Sequence, residues 1–220
     1  DVVTLYQGGA YHLYRYKKYT DVRLVMAPQY SAAFFGGDKD NFEFPRFDFD
    51  VCFFRVYEKG QPLASLDYLP WNSQPIKEKE LVFVIGHPGR TNRLDTYARL
   101  QHLRAETLPY RIKVLSDQYA TLEKYSKRGK EQARLAQHDQ YSISNALKAY
   151  RGQYQGLLDD ALLQEKKSQE TELRSRVQAS PEWQSKAGKA WDTIAASETK
   201  LSAFEKEYFM LEGRHALHSD

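Results

Sequence analysis

A change of texture near residue 103 limits this chain more than any other feature. Residues 1–100 hold 6 of the 8 prolines and 7 of the 12 glycines. Both types interrupt regular elements, proline by lacking an amide donor and glycine by its backbone freedom. The front part is therefore confined to short elements, and its β-branched and aromatic runs make them strands. Tyr11-His12-Leu13-Tyr14-Arg15-Tyr16 and Val22-Arg23-Leu24-Val25-Met26 alternate as half-buried strands do. Lys17-Lys18-Tyr19-Thr20-Asp21 is placed to turn a hairpin between them. Residues 50–57 read as a third strand closed by Glu58-Lys59-Gly60, and residues 80–85 as a fourth ending at Gly86-His87-Pro88-Gly89. Short strands between Gly/Pro turns suggest a barrel or sandwich.

Beyond residue 103 the period becomes helical. Ile112, Leu115, Tyr119 and Leu122 step by three and four, as one helix face requires. A second stripe runs through Ile143, Leu147, Tyr150, Tyr154, Leu157 and Leu158. Residues 164–178 are mostly Gln, Glu, Lys, Arg and Ser, a solvated helical stretch. Ser180-Pro181-Glu182 puts serine at an N-cap and proline at the first helical position. Trp183, Ala187, Ala190, Trp191 and Ile194 follow on one face, then Leu201, Phe204 and Tyr208. The expected organisation is α+β, with a partial β-barrel region over 1–103 and a helical domain over 104–220.

Charge and cysteine usage exclude several classes. With 32 Lys and Arg against 29 Asp and Glu, the net charge of +3 over 220 residues is too small for a phosphate-backbone binder. No apolar run reaches the roughly 18 residues a spanning helix needs. Cys52 is the lone cysteine, which excludes an internal disulfide framework and a cysteine-built zinc site. The six histidines form no close ligand pair. Asp38-Lys39-Asp40-Asn41 resembles the opening of a calcium loop but lacks its sixth-position glycine and twelfth-position glutamate. No Gly-rich phosphate loop, Gly-x-Ser-x-Gly elbow or His-Glu-x-x-His is present. Neither a metal nor a cofactor is expected. The opening Asp1-Val2-Val3-Thr4-Leu5 is neither a methionine start nor a signal peptide, so the chain is expected to be a piece of something longer.

One segment is dense enough to name. Phe34-Phe35-Gly36-Gly37-Asp38-Lys39-Asp40-Asn41-Phe42-Glu43-Phe44-Pro45-Arg46-Phe47-Asp48-Phe49-Asp50 closely resembles the motif of the bacterial dipeptidyl aminopeptidases, serine peptidases of the dipeptidyl-peptidase seven and eleven type. Tyr19-Thr20-Asp21-Val22-Arg23-Leu24-Val25, Tyr68-Leu69-Pro70-Trp71 and Gly86-His87-Pro88-Gly89-Arg90-Thr91-Asn92-Arg93 match in register. Asn145-Ala146-Leu147-Lys148 and Gly152-Gln153-Tyr154-Gln155-Gly156-Leu157 resemble the family's helical-domain motif. The resemblance implies the end of one barrel and the start of the next in a chymotrypsin-like double β-barrel, followed by an inserted all-α domain. It also implies peptide substrates with a free N-terminus, a periplasmic or secreted location, and a full-length protein able to form a homodimer.

Site residues follow from the same resemblance. Asp50 precedes the apolar Val51-Cys52-Phe53-Phe54, as the triad aspartate does in chymotrypsin-like strands. There a buried carboxylate accepts the Nδ1 hydrogen of histidine and stabilises the imidazolium formed when serine attacks. The alternative is a turn cap or an ion pair with Arg46 or Arg55; Asp48, outside the matched position, is expected to face solvent. Asn41 and Asn145 match the asparagines that receive the substrate's ammonium, which their carbonyl oxygens suit. The other reading of Asn41 is a turn residue bonding its own backbone, and of Asn145 a helix residue facing water. Phe42 stands where many relatives carry tryptophan, and its ring face attracts cations less strongly than indole. None of His12, His87, His102, His138, His215 or His218 sits in a Thr-Ala-x-His-Cys-like context, and no serine in a Gly-Asn-Ser-Gly-Ser-like loop. The chain alone is therefore expected to be inert. Two other readings remain open: a non-catalytic relative that binds peptide N-termini, and a helical interaction module with a β scaffold.

Overall fold

In a computed structural model of the chain, the described residues are 1–33, 36–86, 89 and 92–212. Phe34, Phe35, His87, Pro88, Arg90 and Thr91 of the motifs, and His215 and His218, lie outside them. The chain forms two compact units, one of Asp1–Phe34 with Phe47–Ile85 and one of Phe35–Arg46 with Gly86–Asp220. The architecture is α+β.

The first unit holds five short strands in two antiparallel sheets. β1 (Val2–Leu5) pairs with β2 (Ala10–Leu13), with Leu5 opposite Ala10 across a 3-10 turn at Tyr6–Gly8. β3 (Asp21–Met26) pairs with β4 (Phe53–Glu58), which pairs with the two-residue β5 (Gln61–Pro62). One helical turn, α1 (Tyr30–Ala33), lies between β3 and β4. The β4–β5 turn is tight because Lys59 (φ 53°) and Gly60 (φ 78°) both adopt left-handed geometry, which matches the twist of a two-residue hairpin.

Pairing departs from the sequence expectation in three places. β3 pairs with β4, a partner about thirty residues away in sequence, so Lys17–Asp21 does not close a hairpin. The third strand begins at Phe53, leaving Asp50 outside it. Residues 80–85 form no strand, and Phe83 is 81% exposed. Alternation marks a segment able to be a strand, but a strand forms only beside an edge that satisfies its amides. Among the described residues no such edge meets 80–85, and no closed barrel forms.

The second unit is helical. α2 (Tyr97–His102) starts at Thr96, whose hydroxyl accepts from the Arg99 amide. It continues through a π-helical turn at Leu103–Thr107 into α3 (Leu108–Ser126). Pro109, with no amide to donate, stands at the first turn of α3, where the hydrogen-bond register changes from five residues back to four. α4 (Lys130–Leu157) runs back along α3, and Leu115 and Leu147 of the two expected stripes are buried. α5 (Asp160–Gln178) is capped by the Asp159 carboxylate, which accepts from the amides of Ala161 and Leu162. Leu108, Leu157 and Leu163 bring α3, α4 and α5 together in a core flanked by Tyr97, Tyr150 and Tyr154.

The remaining helices are α6 (Pro181–Ala187), α7 (Ala190–Ser202) and α8 (Glu205–Glu212). Ser180 caps α6 as expected, accepting from the Trp183 amide. The apolar face expected there is thinly covered, since Trp183, Phe204 and Tyr208 stay exposed. Polar bonds fasten these helices instead. Buried His102 lies 2.9 Å from Glu205 Oε2, Thr107 donates to the same carboxylate, and Arg99 pairs with Glu198 at 2.9 Å.

The three-leucine core is the main apolar tie between α3, α4 and α5. Leu157→Ala is expected to destabilise the helical unit by about 2–5 kcal/mol, the range for a deleted buried leucine. Urea unfolding followed at 222 nm checks it, and a change within the error of the wild type would mean the site refills.

Candidate functional site

The motif loop is built to lie flat on a helix. A Cβ placed on Gly36 would stand 2.5 Å from the Tyr141 carbonyl oxygen of α4, so only glycine permits this approach. The loop then turns twice, with the Asn41 amide donating to the Asp38 carbonyl and the Glu43 amide to the Asp40 carbonyl at 2.9 Å. Inside the second turn Phe42 adopts φ 64°, a left-handed conformation a bulky residue holds only when its surroundings impose it. Phe42 is 63% exposed. Lys148 of α4 ties the loop from below, donating to Glu43 Oε1 at 2.8 Å and to the Lys39 carbonyl.

Asn41 and Asn145 meet at the centre of this contact. Asn41 is 3% exposed, and its Nδ2 donates to Asn145 Oδ1 at 2.9 Å across 104 residues of sequence. Arg46 Nη1 donates to Asn41 Oδ1 at 3.1 Å, while Nη2 pairs with Asp38 Oδ2 at 3.3 Å. Thus Asn41 does not spend its side chain on its own backbone, and Asn145 does not simply face water. Each amide oxygen accepts one of these bonds and retains a second lone pair. Burial makes the bonds stronger, because little water competes for their atoms. Between the loop, α3 and α4 lies a cavity of about 390 Å³, lined by Gly37 and Asp38 of the loop, Ser116 and Tyr119 of α3, and Ser144, Leu147, Lys148 and Arg151 of α4.

Asp50, in the other unit, is differently placed. It is exposed and sits at the centre of a three-residue turn closed by the Val51 amide on the Phe49 carbonyl at 3.0 Å. Among the described residues its carboxylate has no ion pair, and Arg46 is engaged by Asp38 and Asn41 instead. Asp48, expected to face solvent, is half-buried.

The sequence reading missed the supporting cast. Arg46, Asp38, Lys148 and Glu43 lie inside or beside the quoted motifs, but only docking of the loop on α4 reveals which pairs with which. Among the described residues no group of three or more His, Cys, Asp or Glu side chains is arranged to hold a metal, and no helix is long and apolar enough to cross a membrane.

A family model for peptidase S46 matches residues 1–219. The chain belongs to the peptidase S46 family. It is similar to dipeptidyl-peptidase 7 of Phocaeicola vulgatus, 28% identical over 186 residues that cover 79% of this chain and 26% of the relative. It is also similar to the Asp/Glu-specific dipeptidyl-peptidase of Shewanella putrefaciens, 26% identical over 95% of this chain and 30% of the relative. Dipeptidyl-peptidase 7 of Porphyromonas endodontalis is 36% identical over 42% of this chain and 13% of the relative. No solved structure matches. The chain spans 26–30% of the length of the first two curated relatives.

The Gly36 contact is directly testable in this S46 chain. Gly36→Ala must push the loop off Tyr141 or strain it, and is expected to cost about 1–3 kcal/mol as an overpacked site does. The side-chain amide signals of Asn41 and Asn145 in nitrogen-15 spectra should shift together. Unmoved signals with unchanged stability would show that the loop is not held by this close approach.

Proposed function

We propose that the chain is part of a serine-type dipeptidyl aminopeptidase that releases dipeptides from free peptide N-termini. One observation carries the reading: in a chain of the peptidase S46 family, the two motif asparagines share a 2.9 Å hydrogen bond. An exopeptidase that counts two residues must hold the substrate ammonium at a fixed distance from the cut. Two neighbouring amide oxygens, each with a lone pair left, suit an ammonium's donors. Phe42, turned outward, offers a ring face to the same cation. The helical unit then acts as ruler and lid as well as support.

Asp50 is the proposed orienter of the triad histidine. Its open carboxylate would accept the histidine Nδ1 hydrogen and favour the imidazolium that forms as serine attacks the scissile carbonyl. The histidine then protonates the leaving amine, and water hydrolyses the acyl-enzyme by the same route in reverse. This chemistry is carried by side chains and calls for no cofactor. The proposed frame is a chymotrypsin-like double barrel with the helical domain inserted, 1–103 belonging to the barrels and 104–220 to the insertion. A periplasmic or secreted homodimer is the proposed state of the full-length protein.

Asp50→Asn in the full-length enzyme should keep the fold and lower turnover by about ten-thousandfold, as carboxylate loss does in related triads. A loss under about tenfold would remove Asp50 from the triad. The isolated chain should cleave no dipeptidyl chromogenic substrate, and activity that depends on one of its own serines would overturn the assignment.

Asn41→Ala and Asn145→Ala should each weaken peptides with a free N-terminus by about 1–3 kcal/mol, the worth of a charge-assisted hydrogen bond. Their N-acetylated counterparts should respond little. Matched kinetics and inhibition on both peptide types decide it, equal losses on the two counting against an ammonium site.

A further inference from the structure

We propose that Arg46 is the positioning residue of the ammonium site: it fixes which end of both asparagine side chains meets a ligand, while Asp38 cancels its charge. The inference rests on the reading of Asn41 and Asn145 as ammonium ligands, and it concerns a residue that need not touch the ligand at all.

The two ends of a carboxamide are nearly equal in size and opposite in role, the oxygen accepting and the nitrogen donating. Left to themselves, Asn41 and Asn145 can share a hydrogen bond in either sense, with Asn41 as donor or as acceptor. The sense matters to a cation at Asn41, because an ammonium has donors alone and finds no acceptor where Asn41 turns its NH₂ group outward. A guanidinium also has donors alone. Arg46 Nη1 stands 3.1 Å from Asn41, so the Asn41 atom facing it must be Oδ1. Nδ2 is then turned toward Asn145, and Asn145 must present Oδ1 to receive it, as it does at 2.9 Å. One donor thereby orients two amides, the second of them on a different element.

A fixed cation beside a cation site would normally repel its ligand. Here the Asp38 carboxylate pairs with the guanidinium at 3.3 Å, so the orienting group arrives as a nearly neutral pair. The Arg46 side chain is only 18% exposed, which limits competition from water for the bond to Asn41. Lysine at this position would keep the donor-only character. Glutamine would not, since its own amide can accept from Asn41 and let both asparagines turn over.

The test uses the full-length enzyme, with inhibition by a dipeptide amide bearing a free N-terminus compared with inhibition by its N-acetyl form. Arg46→Gln is expected to weaken the free dipeptide amide about tenfold and the acetylated form less than twofold. Arg46→Lys should restore the free form to within about threefold of the parent. Equal losses on both probes, no rescue by lysine, or unchanged inhibition in Arg46→Gln overturns the proposal. If circular dichroism shows Arg46→Gln misfolded, Asp38→Asn serves instead. By exposing the guanidinium charge it should weaken the free dipeptide amide several-fold, with the deficit shrinking at high salt, and an unchanged salt response overturns the proposal. Asn145→Ala runs alongside. If it loses both probes equally, the ammonium reading itself falls, whereas selective loss there with an unaffected Arg46→Gln removes only the role given to Arg46.

Discussion

The asparagine site depends on how closely the motif loop approaches α4. With Gly36 against the Tyr141 carbonyl, loop and helix backbones come nearer than any side chain would allow. That approach puts Asn41 within hydrogen-bonding distance of Asn145 and buries the bond. Once buried, every polar atom there needs a partner, because an unsatisfied one costs about 1–3 kcal/mol. Asn145 and the Arg46 guanidinium, itself paired with Asp38, meet that demand for Asn41. The loop's two left-handed residues, Gly37 and Phe42, follow from the same requirement, since the chain must reverse tightly to present Asn41 inward.

The strand unit shows the opposite economy. Its five strands form one sheet of two and one of three, and Leu24, Phe54 and the unpaired Phe83 remain exposed. Apolar alternation is normally the signature of one covered face. In the proposed full-length peptidase, further barrel strands would cover these side chains and pair residues 80–85. They would also bring the histidine that Asp50 is proposed to orient.

Much of the helical unit is legible from local rules. The stripe through Ile112 and Leu115, the stripe through Leu147 and Leu157, and the Ser180-Pro181 start all follow from 3.6-residue periodicity and capping chemistry, which act within a turn or two. Strand pairing is not local, which is why β3 takes β4 as its partner across the motif loop rather than the preceding alternating segment. The composition break near residue 103 likewise differs from the contact units, which part at Ile85 and Gly86 and assign residues 35–46 to the helices. Composition records what each segment can become, whereas contacts record what it touches.

The sequence by itself determined the family resemblance, the α+β class and the identities of Asn41, Phe42, Asp50 and Asn145 as residues of interest. Those rest on residue types at fixed spacing, and spacing is a property of the chain. Tertiary structure decided that Asn41 and Asn145, 104 residues apart, share one bond, that Arg46 serves Asn41 rather than Asp50, and that Asp50 lies open on a turn. Each of those facts depends on which surfaces come together and which water is expelled. Residue spacing says nothing of either, because hydrogen-bond partners are chosen by distance in space after the backbones have docked.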